Sequence, residues 1–575
     1  MTPIISPKPH FCRFDGGKAV KINPDKIINP FLSDLAVSYA VDNLAALYKN
    51  GTARLVLGTL NNPADCESVF ADIPEISEKW RVETDGYRLI IDGEKDTVAV
   101  MGADQKGVFY GLQTLIMLAE QGELPSLYVE DYADLAIRGP IEGFYGYPWS
   151  YDDRNEIMEM CAKIKMNTYI YAPKDDPYHR ARWRDLYPEK EQGELRRLVK
   201  TANKCNFDFV WTLHHGDTID LKNEDDFNST IAKLNQLYEI GLRRFGVFFD
   251  DIKPEMIDGA AQAEFLNRLD DQFVKPKGDV KSLITVGAKY RKGCEVSVDR
   301  YYRPFADTLH GDIEVMWTGD ETGSNISHDI MQWPIDQTET KKKTLIWWNY
   351  PVNDYCNAKL LMGRLDPLKP DLDNVTGMVS NPLSDIHLSM PALYSVANYC
   401  WNTAEFNAQE SFDNSFKYLV PEAADEMAFL AQNTAGLKAF LFKFEESWDF
   451  KPLIEKNATG ELNALFKRLK NCCVKLREIK NRRIVKDAEE WIDVTEKVAE
   501  AGIILTANPT KADLEKAKEL LTYKVIVKSM RGDFPAEVGM HHIRPYLNKI
   551  IEQNGIEMPP IKENNLVGAF WTEED

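Results

Sequence analysis

Two adjacent aspartates, Asp250 and Asp251, end the run RFGVFFDDIKPE, in which five nearly unbroken apolar residues lead straight into acid. A carboxylate costs several kcal/mol to take out of water unless something compensates it, so a buried strand ending this way must meet hydrogen bonds, cations or a proton. Two neighbouring carboxylates in a poorly solvated place also resist joint ionisation. One stays charged while the other holds its proton near neutral pH, which is the division needed for general acid and base work. A DD dipeptide taken alone reads more simply as the start of a solvated loop. A second pair, Asp175 and Asp176 in KDDPYH, competes with the first, and local physics does not choose between them.

The elements that must hold these acids follow a countable rhythm. Between Ile137 and Asn381, eight apolar, aromatic-rich runs read as strands: IRGPI, NTYIYAP, FDFVWTLHH, RFGVFFDD, SLITVGAKY, IEVMWTG, TLIWWNYP and TGMVSNP. Most gaps between them carry helical spacing, as in DDRNEIMEMCAKIKM, EQGELRRLVKTANKC and DDFNSTIAKLNQLYEIG. Near-continuous apolar strands suit a parallel sheet buried on both faces, and eight βα units predict an α/β fold with a central (β/α)8 barrel over 135–404. Ahead of it, ARLVLGTL, YRLIIDGE and TVAVMGAD with the helical QKGVFYGLQTLIMLAEQG predict an N-terminal α/β domain over 1–134, closed by PSLYVEDYAD as an acidic connection. After about residue 405 the β-rich runs disappear, and four long segments of helical period predict a mainly helical C-terminal region over 405–575 whose final TEED is a solvated tail.

Size and composition bound the chemistry. A chain of 575 residues exceeds a single core. Its net charge of −21 argues against nucleic acid or an anionic membrane as partner, because phosphate binding needs clustered Lys and Arg. The nine cysteines are odd in number and scattered, with no CxxC pair, and read as buried thiols rather than a zinc ribbon or a disulfide framework. No apolar run reaches the length of a membrane span. MTPIISPKPHF lacks the basic start and apolar stretch of a signal peptide, which leaves the compartment open between the cytoplasm and a secreted or periplasmic form without its leader. Oligomeric state is not legible.

In such a barrel, function collects where strands end. The residues there are GFYG, KDDPYH, HHGD, the pair at 250 and 251, Tyr290, TGD, WNYPVND and SNP, so acids, amides and aromatic rings converge on one rim. That mixture suits a small-molecule pocket, and a sugar in particular: polar side chains for hydroxyls, ring faces for the apolar side of a pyranose. Trp317, Trp347 and Trp348 each read as core when taken singly. Strand alternation puts Trp347 and Asn349 on one face and Trp348 on the other, so only one of the adjacent tryptophans reaches a ligand.

Together IRGPIEGFYGYPWS, MNTYIYAPKDDPYH, FGVFFDDI, IEVMWTGD, LIWWNYPVNDY and SNP resemble glycoside hydrolase family 84 in its motif order, over most of 130–400. The resemblance implies a retaining exo-β-N-acetylglucosaminidase of the O-GlcNAcase kind, with no metal or cofactor, acting on GlcNAc-bearing glycans or glycoproteins. It implies that the substrate's own 2-acetamido oxygen attacks the anomeric carbon to give an oxazoline. Asp250 would then accept the acetamido N–H, and Asp251 would protonate the leaving oxygen and later deprotonate water. Gly143, Lys174, Asn349, Asp354 and Asn381 fall on sugar hydroxyls, and Tyr290, Thr318 and Trp347 around the acetamido group. Asp175 and Asp176 become residues that structure a loop, and His179, His214 and His215 loop hydrogen-bonders. One departure is TVGAKY before Tyr290, where the family's pattern is closer to MCPTEY: Val286 stands for a pocket cysteine and Lys289 for a glutamate. Three rivals stand beside this reading: an endo-acting hyaluronidase, a metal-dependent hydrolase using the acids as ligands, and a non-catalytic sugar-binding protein.

Overall fold

The computed structural model describes residues 3–294, 298–528 and 532–563; the terminal TEED lies outside them. The eight apolar runs form one closed parallel barrel. Its strands are β7 (Ile137–Glu142), β8 (Thr168–Tyr171), β9 (Asp208–His214), β10 (Arg244–Phe248), β11 (Ile284–Val286), β12 (Glu314–Trp317), β13 (Thr344–Trp348) and β14 (Val375–Ser380), and β14 pairs back onto β7. The inward residues, Ile141, Ile170, Val210, Phe248, Met316 and Val379 among them, pack into a dry cluster, so the barrel is filled and its cluster forms a floor. Helices between strands cover the outside. Ser150 and Asp153 form a reciprocal capping box on Tyr151–Lys163, and Asn223 caps Glu224–Glu239, as polar residues before an apolar-periodic run should.

The N-terminal sheet contains β1 (Phe11–Phe14), β2 (Ile22–Ile28), β3 (Ala53–Thr59), β4 (Thr84–Asp92), β5 (Thr97–Gly102) and β6 (Leu127–Ala133), in the order β1-β6-β4-β5-β3-β2. PSLYVEDYAD is thus not the loop its acids suggest: residues 127–133 are a wholly buried strand. Its acids are buried because each has partners. Glu130 accepts from the backbone N–H groups of Ile76 and Ser77, while Asp131 pairs with Lys165 at 3.1 Å and accepts from the Trp401 indole at 2.8 Å. The Asp131–Lys165 pair and Arg138 on Asp85 at 2.7 Å fasten the sheet to the N-terminal ends of β8 and β7, leaving the strand C-termini free for a site.

Beyond the barrel, helices such as Ala424–Thr434, Thr459–Leu476 and Glu489–Leu505 carry the expected period. Two β elements interrupt them. β15 (Leu437–Ala439) and β16 (Phe442–Phe444) form a hairpin whose buried Leu, Ala and Phe alternate with exposed Lys438 and Lys443. The run KADLEKAKELLTYKVIVKSM, the last of the four segments of helical period, is helical among its described residues only over Lys511–Thr522, and Ile526–Val527 pairs with Phe534–Pro535. All nine cysteines are free and seven are buried. Among the described residues no helix is long and apolar enough to cross a membrane.

Candidate active site

Strand β10 ends at Phe248, and the chain then turns: Asp251 takes a left-handed φ of +52°. On a regular strand, neighbouring side chains face opposite ways. Breaking the strand here lets both acids border one pocket, and the break also gives them opposite surroundings. Asp250 is 5% exposed, whereas Asp251 stands exposed at the mouth, its carboxyl receiving the Tyr145 hydroxyl at 3.0 Å and the Tyr290 hydroxyl at 3.3 Å. The two acids are therefore separated by unequal solvation rather than by a shared dry rim.

Burial alone would raise the Asp250 carboxyl. The Lys174 ammonium, 2.8 Å from its Oδ2, and the neighbouring His214 and Arg180 outweigh that and hold it well below the usual carboxylate range. Lys174 responds in the opposite sense: burial lowers it, but Asp250 pushes it up to about 12. A buried ion pair of this geometry keeps Asp250 an anion. Its other oxygen, Oδ1, is buried with no hydrogen-bond partner among the described residues.

His214, the last residue of β9, fixes the backbone beneath this carboxylate. Its Nδ1 accepts the Gly216 N–H at 3.0 Å, so Nε2 carries the proton and donates to the Asp250 carbonyl at 2.6 Å. Burial lowers its pKa to about 4, and the adjacent His215 to about 3, so both rings are neutral near pH 7. His179 is likewise buried, its Nδ1 on the Thr212 carbonyl. All three are buried: His179 and His215 are hydrogen-bonded residues of the loops after β8 and β9, whereas His214 belongs to β9 itself and touches the acid pair's backbone directly.

The other rim residues enclose a cavity of about 340 Å³ lined by Gly143, Lys174, Tyr290, Thr318, Trp347, Asn349, Asp354 and Asn381 together with both acids. The Trp347 indole donates to Asn349 Oδ1 at 2.9 Å, and Asn381 Nδ2 donates to the same oxygen at 3.0 Å. Asn349 Nδ2 is held by the Thr322 carbonyl at 2.9 Å, which locks the amide's orientation. Gly143 is glycine for a steric reason: a Cβ there would lie 2.7 Å from the Trp347 ring. Asp354 Oδ2 accepts the Tyr145 N–H at 2.8 Å, linking the loops after β13 and β7. The Thr318 hydroxyl is spent on its own loop, donating to the Glu321 carbonyl at 2.8 Å.

Trp348 faces away, bonded to the Ser324 carbonyl and packed on Tyr350, and Trp317 lies in the outer core against Tyr302 and Trp333. Asp176 organises its loop, accepting from Tyr171, Tyr187 and the Tyr178 N–H. Val286 lines the cavity, as an apolar wall would.

A family model described as beta-N-acetylglucosaminidase matches residues 138–432, just over half the chain. The chain belongs to this β-N-acetylglucosaminidase family, glycoside hydrolase family 84. A second model, glycosyl hydrolase family 20 domain 2, matches residues 2–132. Protein O-GlcNAcase of Rattus norvegicus and that of Mus musculus are each 29% identical over 274 residues, covering 45% of this chain and 29% of theirs, so the chain spans less than a third of these curated relatives. A solved structure of CpGH84D superposes with a TM-score of 0.85 at 26% identity over 96% of this chain and all of the other. CpGH84B gives 0.82 at 27% over 95% of this chain and all of the other. An O-GlcNAc hydrolase structure from Thermobaculum terrenum gives 0.61 at 24% over 73% of this chain and 95% of the other, a likeness of fold.

Beyond the residues expected from the family's motifs, the cavity is also lined by Tyr145, Thr322, Val352, Tyr355 and Phe440. Tyr145, Val352 and Tyr355 sit within or beside quoted strand-end motifs but carried no assigned role. Phe440 comes from the hairpin turn between β15 and β16, where only a short alternating stretch, LKAFLFKF, could have announced it.

Proposed function

We propose that the protein is a retaining exo-β-N-acetylglucosaminidase of the O-GlcNAcase kind, hydrolysing terminal β-linked GlcNAc from a glycan or from protein Ser or Thr. The observation that carries this is the pairing of a buried anion, Asp250, whose Oδ1 makes no hydrogen bond among the described residues, with a differently solvated acid, Asp251, at the mouth of the same pocket. A carboxylate held by lysine through one buried oxygen and left open to accept at the other suits an amide N–H donor such as a 2-acetamido group.

In this reading Asp250 accepts the acetamido N–H and turns its carbonyl oxygen toward the anomeric carbon. That oxygen forms the C1–O bond as the glycosidic bond breaks, and the leaving oxygen takes its proton from Asp251. The resulting oxazolinium ring, which keeps its proton on nitrogen against Asp250, is then opened by a water that gives its proton to Asp251, attacking C1 from the face the aglycone left. Two displacements restore the β configuration. Asp250 never gives up or gains a proton; its constant negative charge stabilises the positive charge that develops on the acetamido nitrogen, an electrostatic role suited to a poorly solvated site.

Steady-state assays with p-nitrophenyl β-GlcNAc and p-nitrophenyl β-glucoside test the class. The first should be hydrolysed and the second, which lacks the acetamido nucleophile, should not. Comparable turnover of both would overturn the proposal.

A further inference from the structure

The hairpin of β15 and β16 reaches from the helical region onto the barrel mouth, and its two-residue turn begins with Phe440 at φ +53°. Tight hairpin turns put Gly, Asn or Asp at that position, because a bulky side chain is disfavoured at positive φ. Such strain persists only where the surroundings over-determine it, and such positions cluster at functional sites. Here the surroundings are specific. Phe444 stacks on Tyr350 with ring centroids 4.1 Å apart, Phe442 meets Trp348 edge-on at 5.9 Å, and the Leu441 N–H donates to the Gly323 carbonyl at 3.1 Å. Gly323 is as small as it must be, since a Cβ there would lie 2.8 Å from the Phe440 ring. The hairpin is a fixed wall, not a loose flap.

The barrel order tells which side of the sugar that wall faces. Running β10-β11-β12-β13-β14-β7-β8-β9, the barrel sets β14 directly opposite β10, with β13 beside it. Asp251 follows β10, whereas Asp354 and Tyr355 follow β13 and Asn381 follows β14. Phe440 packs edge-on against Tyr355, centroids 5.1 Å apart, and lines the same cavity. In a pyranose, C1 and C4 are opposite corners of the ring. If Asp251 serves the glycosidic oxygen on C1, the far wall of Asp354, Tyr355 and Phe440 faces C4.

We propose that Phe440 closes the pocket behind the sugar's 4-hydroxyl and so restricts the enzyme to terminal GlcNAc, making a residue outside the barrel the determinant of exo action. This rests on the proposed function above. It assigns to the hairpin a part in specificity that the strand-end motifs do not contain.

The test compares p-nitrophenyl β-GlcNAc with its 4-O-methyl ether in the wild-type protein and in Phe440→Gly and Phe440→Asn. Both replacements suit a positive φ, so thermal unfolding should show both variants folded. In the wild type, kcat/KM for the capped glycoside should be at least about 100-fold below that for the uncapped one, the scale on which a closed pocket rejects an extra group. In both variants kcat/KM for the capped glycoside should itself rise, by about tenfold or more. A purely structural role for Phe440 would lower both substrates together. Wild-type turnover of the capped glycoside at the uncapped rate, or no gain on it in either variant, would overturn the wall while leaving the glycosidase reading intact. Failure of the wild type on the uncapped glycoside would instead overturn the proposed function, and the wall with it.

Discussion

The Nζ of Lys174 lies 2.8 Å from Oδ2 of Asp250, and both side chains are only 7% exposed. The relation has a pH consequence. Asp250 is depressed relative to its unfolded value, so its charged form, and the stability and activity that depend on it, are present above the ordinary carboxylate range and are lost only as pH falls below that range.

Lys174→Ala leaves the carboxylate buried without its cation. Its pKa then rises, and the acid limb of kcat/KM against pH moves upward relative to the wild type. At neutral pH the loss of a charge-assisted hydrogen bond, roughly 1.5 to 3 kcal/mol, corresponds to about one to two decades in kcat/KM. A folded variant with the wild-type pH profile and wild-type kcat/KM would place Lys174 outside the machinery.

The unequal surroundings of the two acids predict unequal dependence on the leaving group. Asp251→Ala should slow alkyl and sugar glycosides, which need protonation, by roughly 10² to 10⁴, and activated aryl glycosides far less. Asp250→Ala should slow both classes. A series of aryl glycosides of graded leaving-group pKa checks this, and equal losses for both mutants across the series would reverse or remove the roles.

His179, His214 and His215 are all buried and shifted downward, chiefly by burial. For a base with a lowered folded pKa, the unfolded chain binds more protons, so stability falls as pH drops below the ordinary histidine value toward the folded one. His215, stacked near Phe249 and edge-on to Trp183, can be exchanged for phenylalanine with little change of shape. Between pH 6 and 4, denaturant titrations of His215→Phe should show a shallower loss of stability than the wild type, by up to about 1.4 kcal/mol per pH unit for the one proton removed. Identical slopes would mean His215 titrates in the folded protein as it does unfolded.

The barrel was legible because its strands are buried on both faces and therefore print as apolar runs of even spacing. The acid pair was legible as an anomaly, but the choice of Asp250 and Asp251 over Asp175 and Asp176 came from motif resemblance. The surroundings of the two pairs differ in a way that accords with it: Asp176 has four internal donors, while Asp250 Oδ1 makes no hydrogen bond among the described residues. Residues whose roles depend on distant partners were not legible. The acids of β6 imitate a loop until Lys165 and Trp401 are placed beside them. His214 looks like a loop residue until its bond to the Asp250 carbonyl is seen. Phe440 lies about 190 residues beyond the acid pair, on a hairpin too short to stand out among helices.

The central claim, that the substrate's acetamido oxygen is the nucleophile with Asp250 as its fixed acceptor, is tested most directly by rates on p-nitrophenyl β-GlcNAc analogues bearing zero to three fluorines on the N-acetyl group. Each fluorine weakens the carbonyl oxygen as a nucleophile, so log kcat/KM should fall steeply and steadily across the series. A flat series would contradict the mechanism.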